Sequence, residues 1–189
     1  EMLKHNTPLV FTCKVTADGS VNESEATEFP PLELTLIRPL AIIEEKFENL
    51  SIQEYTVGGV IDTPTMKVTF VSGPFTAGIM LYGYEPYSSG KAYAMYRNQD
   101  DVLRPQKHRF DFKRKLEYVK FAWVWKQLAG RVIFYDKDNR VLAVQDYPDE
   151  NRGGFWVEYL ASSGREISSL EVIVVDYSFI DNFTMWYRR

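Results

Sequence analysis

Residues 131–144 read Arg-Val-Ile-Phe-Tyr-Asp-Lys-Asp-Asn-Arg-Val-Leu-Ala-Val. The flanks, 131–135 and 141–144, are runs of β-branched and aromatic residues, while Asp136-Lys137-Asp138-Asn139-Arg140 between them tolerates turn geometry. This pattern predicts a β-hairpin, with Phe134 facing inward unless a slip of one residue puts Tyr135 there instead. The same period of two extends in both directions. Upstream, Val119, Phe121, Trp123 and Trp125 share one parity and Lys120 and Lys126 the other, which predicts a strand with an aromatic core face and a partly polar outer face. Residues 66–71, 77–82 and 91–96 add three strands, the last two separated by the turn-like Pro86-Tyr87-Ser88-Ser89-Gly90. Downstream, 154–161, 170–175 and 183–187 add three more. Val119, Phe121, Trp123, Phe134, Phe155 and Val172 are the expected core.

Helix signals are few. Residues 42–50 have room for two turns, and 99–107 is interrupted by Pro105. Nine or ten short strands separated by turn clusters mean an antiparallel sandwich or barrel, and the period-two pattern predicts the sandwich, an all-β fold of two sheets with very little helix. Residues 1–42 read as an N-terminal extension or linker with one or two short strands, and 43–189 as the sandwich domain. Residues 16–31 are polar and acidic and end in Pro30-Pro31, and 32–37 alternate as a short strand.

Composition narrows the function. The 189 residues are 45% hydrophobic and 25% charged, with 26 acids against 22 bases and a net charge of −4. An acidic balance argues against a binder of nucleic-acid backbones. No apolar run approaches the roughly 18–20 residues of a membrane-spanning helix. Two histidines and one cysteine leave little material for a zinc site, a disulfide framework or a Cys-His nucleophile. Cys13 lies in an alternating stretch and reads as half-buried in a strand. His108, in Lys107-His108-Arg109, reads as part of a solvated basic patch. No nucleophile elbow is present, and the pairs Gly58-Gly59 and Gly153-Gly154 lack the spacing and following helix of a phosphate loop. Asp136-Lys137-Asp138-Asn139 starts like a calcium loop but lacks its glycine and distal glutamate.

Aromatic content is the compositional oddity, with 12 Tyr, 12 Phe and 4 Trp. Tyr82, Tyr84, Tyr87, Tyr93 and Tyr96 crowd two strands and the loop between them. A tyrosine ring has an apolar face and a polar tip, which suits it to stack on a sugar or pack on a protein partner. The competing account is that Tyr93 and Tyr96 fill the core and Tyr87 is only an exposed loop residue. Trp156, of opposite parity to Phe155 and Val157, is expected to point outward and join the cluster. Glu85, Asn98 and Asp100 are the polar candidates to meet ligand hydroxyls.

Several stretches carry a family resemblance: Val132-Ile133-Phe134-Tyr135-Asp136, Asn139-Arg140-Val141-Leu142, Gly153-Gly154-Phe155-Trp156-Val157, Ile167-Ser168-Ser169-Leu170-Glu171-Val172 and Phe179-Ile180-Asp181-Asn182-Phe183-Thr184. Together they resemble the closing strands of jelly-roll modules of the galactose-binding-like and carbohydrate-binding type, and Phe47-Glu48-Asn49-Leu50 is similar to their opening segment. The pattern covers residues 43–187. It departs at Arg140, where a glycine is common, and residues 1–42 have no counterpart. The resemblance implies a jelly roll that is a binding module and not an enzyme, lectin-like, recognising carbohydrate or a cell-surface glycan. It also implies a secreted or cell-surface location, with the chain one part of a larger polypeptide; Glu1-Met2-Leu3-Lys4-His5 shows no signal-peptide pattern. The alternative of the same fold is a structural or protein-protein interaction domain, as in an adhesin or toxin. The abundant carboxylates keep open a third reading, a glycoside-active enzyme. If Phe47-Glu48 opens the module and Ile180-Asp181 closes it, the sandwich sets Glu48 beside Asp181, and these two can supply oxygens to a structural calcium; the competing account is that Asp181 caps a turn and Glu48 is solvated.

Overall fold

The computed structural model describes residues 7–16, 26–35, 39–97, 104–149 and 152–189. The chain divides into two compact units, Glu1–Pro39 with Arg189, and Leu40–Arg188. In the first, β1 (Pro8–Phe11) pairs antiparallel with a strand at Leu32–Thr35, and β2 (Lys14–Val15) with β3 (Thr27–Glu28); Leu32–Thr35 is β4. Cys13 falls between β1 and β2 and is exposed, because the alternation expected to half-bury it stops at Phe11.

The second unit is an antiparallel β-sandwich, with no helix among the described residues. Its strands are β5 (Leu40–Glu45), β6 (Gln53–Tyr55), β7 (Val60–Asp62), β8 (Met66–Ser72), β9 (Thr76–Leu81), β10 (Lys91–Arg97) and β11 (Gln106–Leu116). They continue as β12 (Tyr118–Lys126), β13 (Gly130–Tyr135), β14 (Val141–Tyr147), β15 (Arg152–Leu160), β16 (Ile167–Val174) and β17 (Ser178–Arg188). The front sheet runs β15-β12-β17-β10-β9-β6, with β5 also on β17; the back sheet runs β14-β13-β16-β11-β8-β7. This is the all-β, two-sheet sandwich that the alternation predicts, with the jelly-roll fold that the resemblance implies.

The core follows the parity read from sequence. Val119, Phe121, Trp123, Phe134 and Val172 are fully buried between the sheets, and Phe155 packs against them. Phe134 rather than Tyr135 points inward, since Val132↔Val172 and Phe134↔Leu170 set the register of β13 on β16. Rings join the two layers: Phe110 of the back sheet lies 5.7 Å from Tyr93 and 5.6 Å from Phe183 of the front sheet. Burying such rings is the main favourable contribution to folding.

Three expectations are corrected. Residues 40–45 are a strand and not helix, because Ile43 pairs with Met185 along β17 and buries its β-branched side chain; Phe47 then takes φ 57° and ends the strand. His108 is fully buried, not part of a solvated patch. It shares parity with Gln106 and Phe110 on β11, so its basic neighbours Lys107 and Arg109 face the other way. Gln106 Oε1 can only accept, so His108 Nε2–H donates to it at 2.9 Å, leaving Nδ1 to accept from the Tyr93 hydroxyl at 2.8 Å. Trp125 is also outside the core. It takes φ 58°, which breaks the alternation of β12, so Trp125 is 42% exposed while Lys126 is buried and donates to Pro148 O at 2.6 Å.

Two measurements check this interior. Trp123→Ala should lower unfolding stability by about 3–5 kcal/mol in a denaturant titration, since the indole fills the inter-sheet space. Burial holds the His108 pKa down at about 3 from 6.5. The unfolded chain therefore takes up this proton below about pH 6.5, and the folded chain does not. Stability contributed by neutral His108 is complete above that pH and is lost as pH falls towards 3. A His108→Gln variant should show a flatter fall of melting temperature across this window than the parent.

Candidate functional site

A sandwich has two outer faces, and that of the front sheet is unusual. Ala92, Ala94, Ala122 and Val124 point away from the inter-sheet core yet are fully buried, because Met80, Tyr82, Tyr87, Trp156, Tyr177 and Phe179 lie over them. The floor is made of small side chains and the roof of large rings. Tyr82 stacks on Phe179 with centroids 3.6 Å apart and lies 6.1 Å from Trp125. Tyr87 lies 6.3 Å from Tyr84 and 5.5 Å from Trp156, and Lys120 Nζ stands 4.4 Å above the Trp156 ring. At the rim a cavity of about 270 Å³ is lined by Tyr82, Tyr84, Trp125 and Gly153.

The segment that carries Tyr84 and Tyr87 is tied down from below. Tyr84 N donates to Ser88 O at 2.8 Å, and Tyr87 N to Tyr84 O at 2.9 Å, closing a tight turn around the cis Glu85-Pro86 bond. Asp181 is buried beneath it: its Oδ2 accepts from Ser88 Oγ at 2.9 Å and Ser89 N at 3.3 Å, and its Oδ1 from Asn182 N at 2.7 Å. Asn182 Nδ2 donates to Tyr87 O at 2.7 Å. Glu48 grips the far end, with its Oε1 accepting from Lys91 N at 3.0 Å. Burial raises the Asp181 pKa to about 7 despite these donors, and the neighbouring Glu48 charge adds to the rise.

The glycine pair at 153–154 explains how the rings can lie so close to β15. A Cβ on Gly153 would stand 2.0 Å from the Tyr84 hydroxyl oxygen, and one on Gly154 would stand 2.5 Å from Tyr87 Cδ2. The pair serves ring packing and has no role towards phosphate.

The expected site residues divide. Tyr84 is 43% exposed, Tyr87 and Trp156 are half-buried on the same outer face, and Glu85 is exposed in the turn. Tyr93 and Tyr96 are corrections: both are buried, and neither can touch a ligand. Tyr93 faces His108 across the sandwich, and Tyr96, at φ 60° where β10 bulges, donates to Arg104 O at 2.9 Å. Asp100 and Asn98 lie outside the described residues. Trp125 and Tyr177 belong to the cluster and were missed, Trp125 because a left-handed residue reverses its face. The Gly-Gly-Phe-Trp run at 153–156 was the available signal, since paired glycines in a strand mark a close approach.

As a donor set for a cation, Glu48 and Asp181 are hard carboxylate oxygens anchoring opposite ends of one short segment. Among the described residues no group of three or more His, Cys, Asp or Glu gathers to hold a metal, so backbone carbonyls would have to complete a shell. The set suits calcium rather than zinc.

No family model matches the chain, and no curated protein matches it. Among solved structures it is similar to a fucose-binding module of Streptococcus pneumoniae, at 8% identity over 52% of this chain and 72% of that one, with a TM-score of 0.34. It is also similar to a family 29 carbohydrate-binding module, at 12% identity over 78% and 91% of the two chains, with a TM-score of 0.33. A third is an arabinose-bound α-L-arabinofuranosidase, at 8% identity over 75% of this chain and 25% of that one, with a TM-score of 0.41.

Gly153→Ala should displace the Tyr84 ring and lower the near-ultraviolet circular dichroism of the cluster, while the far-ultraviolet strand signal stays unchanged.

Proposed function

We propose that this protein is a non-catalytic module that binds carbohydrate on the outer face of the front sheet. The observation that carries this reading is the rim cavity. Tyr84 and Trp125 leave about two-fifths of their surface open there, held on a floor that is already packed. Sugars present apolar C–H faces that pack on such rings, and their hydroxyls need a few fixed polar partners nearby, here the tyrosine hydroxyls, Lys120 and Glu85. Among the described residues the cavity is lined by three aromatic rings and a glycine, which favours packing against a ligand face. The same reading puts the module outside the cell or at its surface, as part of a larger polypeptide.

The test is a glycan-array screen of the purified chain followed by calorimetry on the best ligand. Tyr84→Ala, Trp125→Ala and Trp156→Ala should each weaken binding by about 1–2 kcal/mol, roughly five- to thirtyfold, with melting temperatures close to the parent. Full affinity in all three variants would place recognition elsewhere. A parent that binds no glycan would favour the protein-interaction reading of the same face.

We further propose that calcium bridges Glu48 and Asp181, neutralising the buried carboxylate and fixing the segment that carries Tyr84 and Tyr87. Binding only the folded state, calcium should raise the melting temperature. The gain should be larger at pH 8 than at pH 6, because a proton occupies Asp181 below its raised pKa of about 7 and competes with the ion. Asp181→Asn should abolish the gain. Identical melting curves in excess calcium and excess chelator at pH 8 would remove the ion from this account.

A further inference from the structure

The outer face of the front sheet carries a second apolar feature away from the cavity. Register places Ile42 beside Trp186, Trp186 beside Tyr118, and Tyr118 beside Leu160, so one row crosses β5, β17, β12 and β15. Their chain neighbours Ile43, Met185, Val119 and Tyr159 pack towards the inter-sheet core, which turns the row outward, onto the face of Ala122 and Trp156. Ile42 is 63% and Leu160 64% exposed, and the Tyr118 and Trp186 rings lie 4.4 Å apart between them. Single exposed apolar residues are ordinary, but two of them joined in register by a pair of half-buried rings form a contiguous patch that calls for an occupant.

One polar row separates this patch from the ring cluster: Glu44, Thr184, Lys120 and Glu158, again cross-strand partners. Glu158 Oε2 accepts from the Tyr118 hydroxyl at 2.7 Å, and Lys120 reaches over Trp156, so the polar row is joined to rings on both sides. Along β12 the face therefore reads rings, hydrogen-bonding groups, then rings again. From Tyr118 to Trp125 is seven residues, roughly 23 Å at the rise of a strand. A single sugar covers only one end of such a track.

We propose that the ligand is an extended polysaccharide held by the interior of its chain, lying along β12, with Ile42, Trp186, Tyr118 and Leu160 as a second binding station. This rests on the sugar-binding reading of the cavity and names the class of glycan. Successive sugar faces pack at Trp125 and Tyr84, at Trp156, and at Trp186 and Tyr118, while hydroxyls between them meet Lys120, Glu158 and Thr184. The second station is built on paired strands rather than a loop, so little ordering is required when it is filled.

Calorimetry with β-1,4-linked gluco-, manno-, xylo- and galacturono-oligosaccharides, from monosaccharide to hexasaccharide, tests this. Affinity should climb at least tenfold between the disaccharide and the hexasaccharide. Trp186→Ala should reduce the hexasaccharide to the affinity of the shorter ligand and leave disaccharide binding unchanged. The paired surface changes Ile42→Thr and Leu160→Thr, which keep strand propensity, should produce the same loss in part and guard against a folding defect in the tryptophan variant. Affinity that levels off at the disaccharide and ignores these substitutions overturns the second station and leaves the cavity reading standing. Binding to no oligosaccharide of any length overturns both. A dimer of the parent that Ile42→Thr and Leu160→Thr dissociate, with affinity independent of length, assigns the row to a second copy of the chain and overturns the proposal.

Discussion

The site depends on one buried carboxylate. Between Lys120↔Thr184 and Ala122↔Asp181, the single residue Phe121 of β12 faces both Asn182 and Phe183 of β17, and Asn182 takes φ 51° to absorb the extra one. That bulge also marks where β17 changes neighbour, from β10 before it to β5 after it. Asp181 stands opposite Ala122 on the outer face, beside the bulge, and its carboxylate accepts from Ser88 and Ser89. The cost is a carboxylate in a poorly solvated place, visible in its raised pKa.

The ring cluster above it stands on size complementarity. Alanines at 92, 94 and 122 and the glycines at 153 and 154 leave the outer face low enough for whole rings to lie on it, and the rings in turn keep those alanines dry. Such packing orders the rings in advance, which lowers the entropic cost of the proposed binding. Polar groups are treated differently in the interior, where Tyr93, His108 and Gln106 form a closed chain of hydrogen bonds with no open end. The two arrangements explain why five neighbouring tyrosines have opposite fates. Tyr82, Tyr84 and Tyr87 serve the surface, whereas Tyr93 and Tyr96 serve the core.

Alternation along 66–71, 119–123, 131–135 and 141–144 determined the strands, the hairpin and the core residues from sequence alone, because side chains of a paired strand must alternate between two faces. The outward position of Trp156 was legible for the same reason. Parity could not foresee Trp125 or Tyr96, since each takes a positive φ that reverses the alternation locally. His108 was misread because two charged neighbours suggested solvent, while its burial depended on which strands flanked β11. The strand at 40–45 likewise owes its conformation to β17, a partner well over a hundred residues away. Local pattern thus determined which residues are strand and which are core. Which rings share a face, and which carboxylate lies beneath them, was decided by bulges and long-range pairing, whose energies arise only between segments brought together by folding.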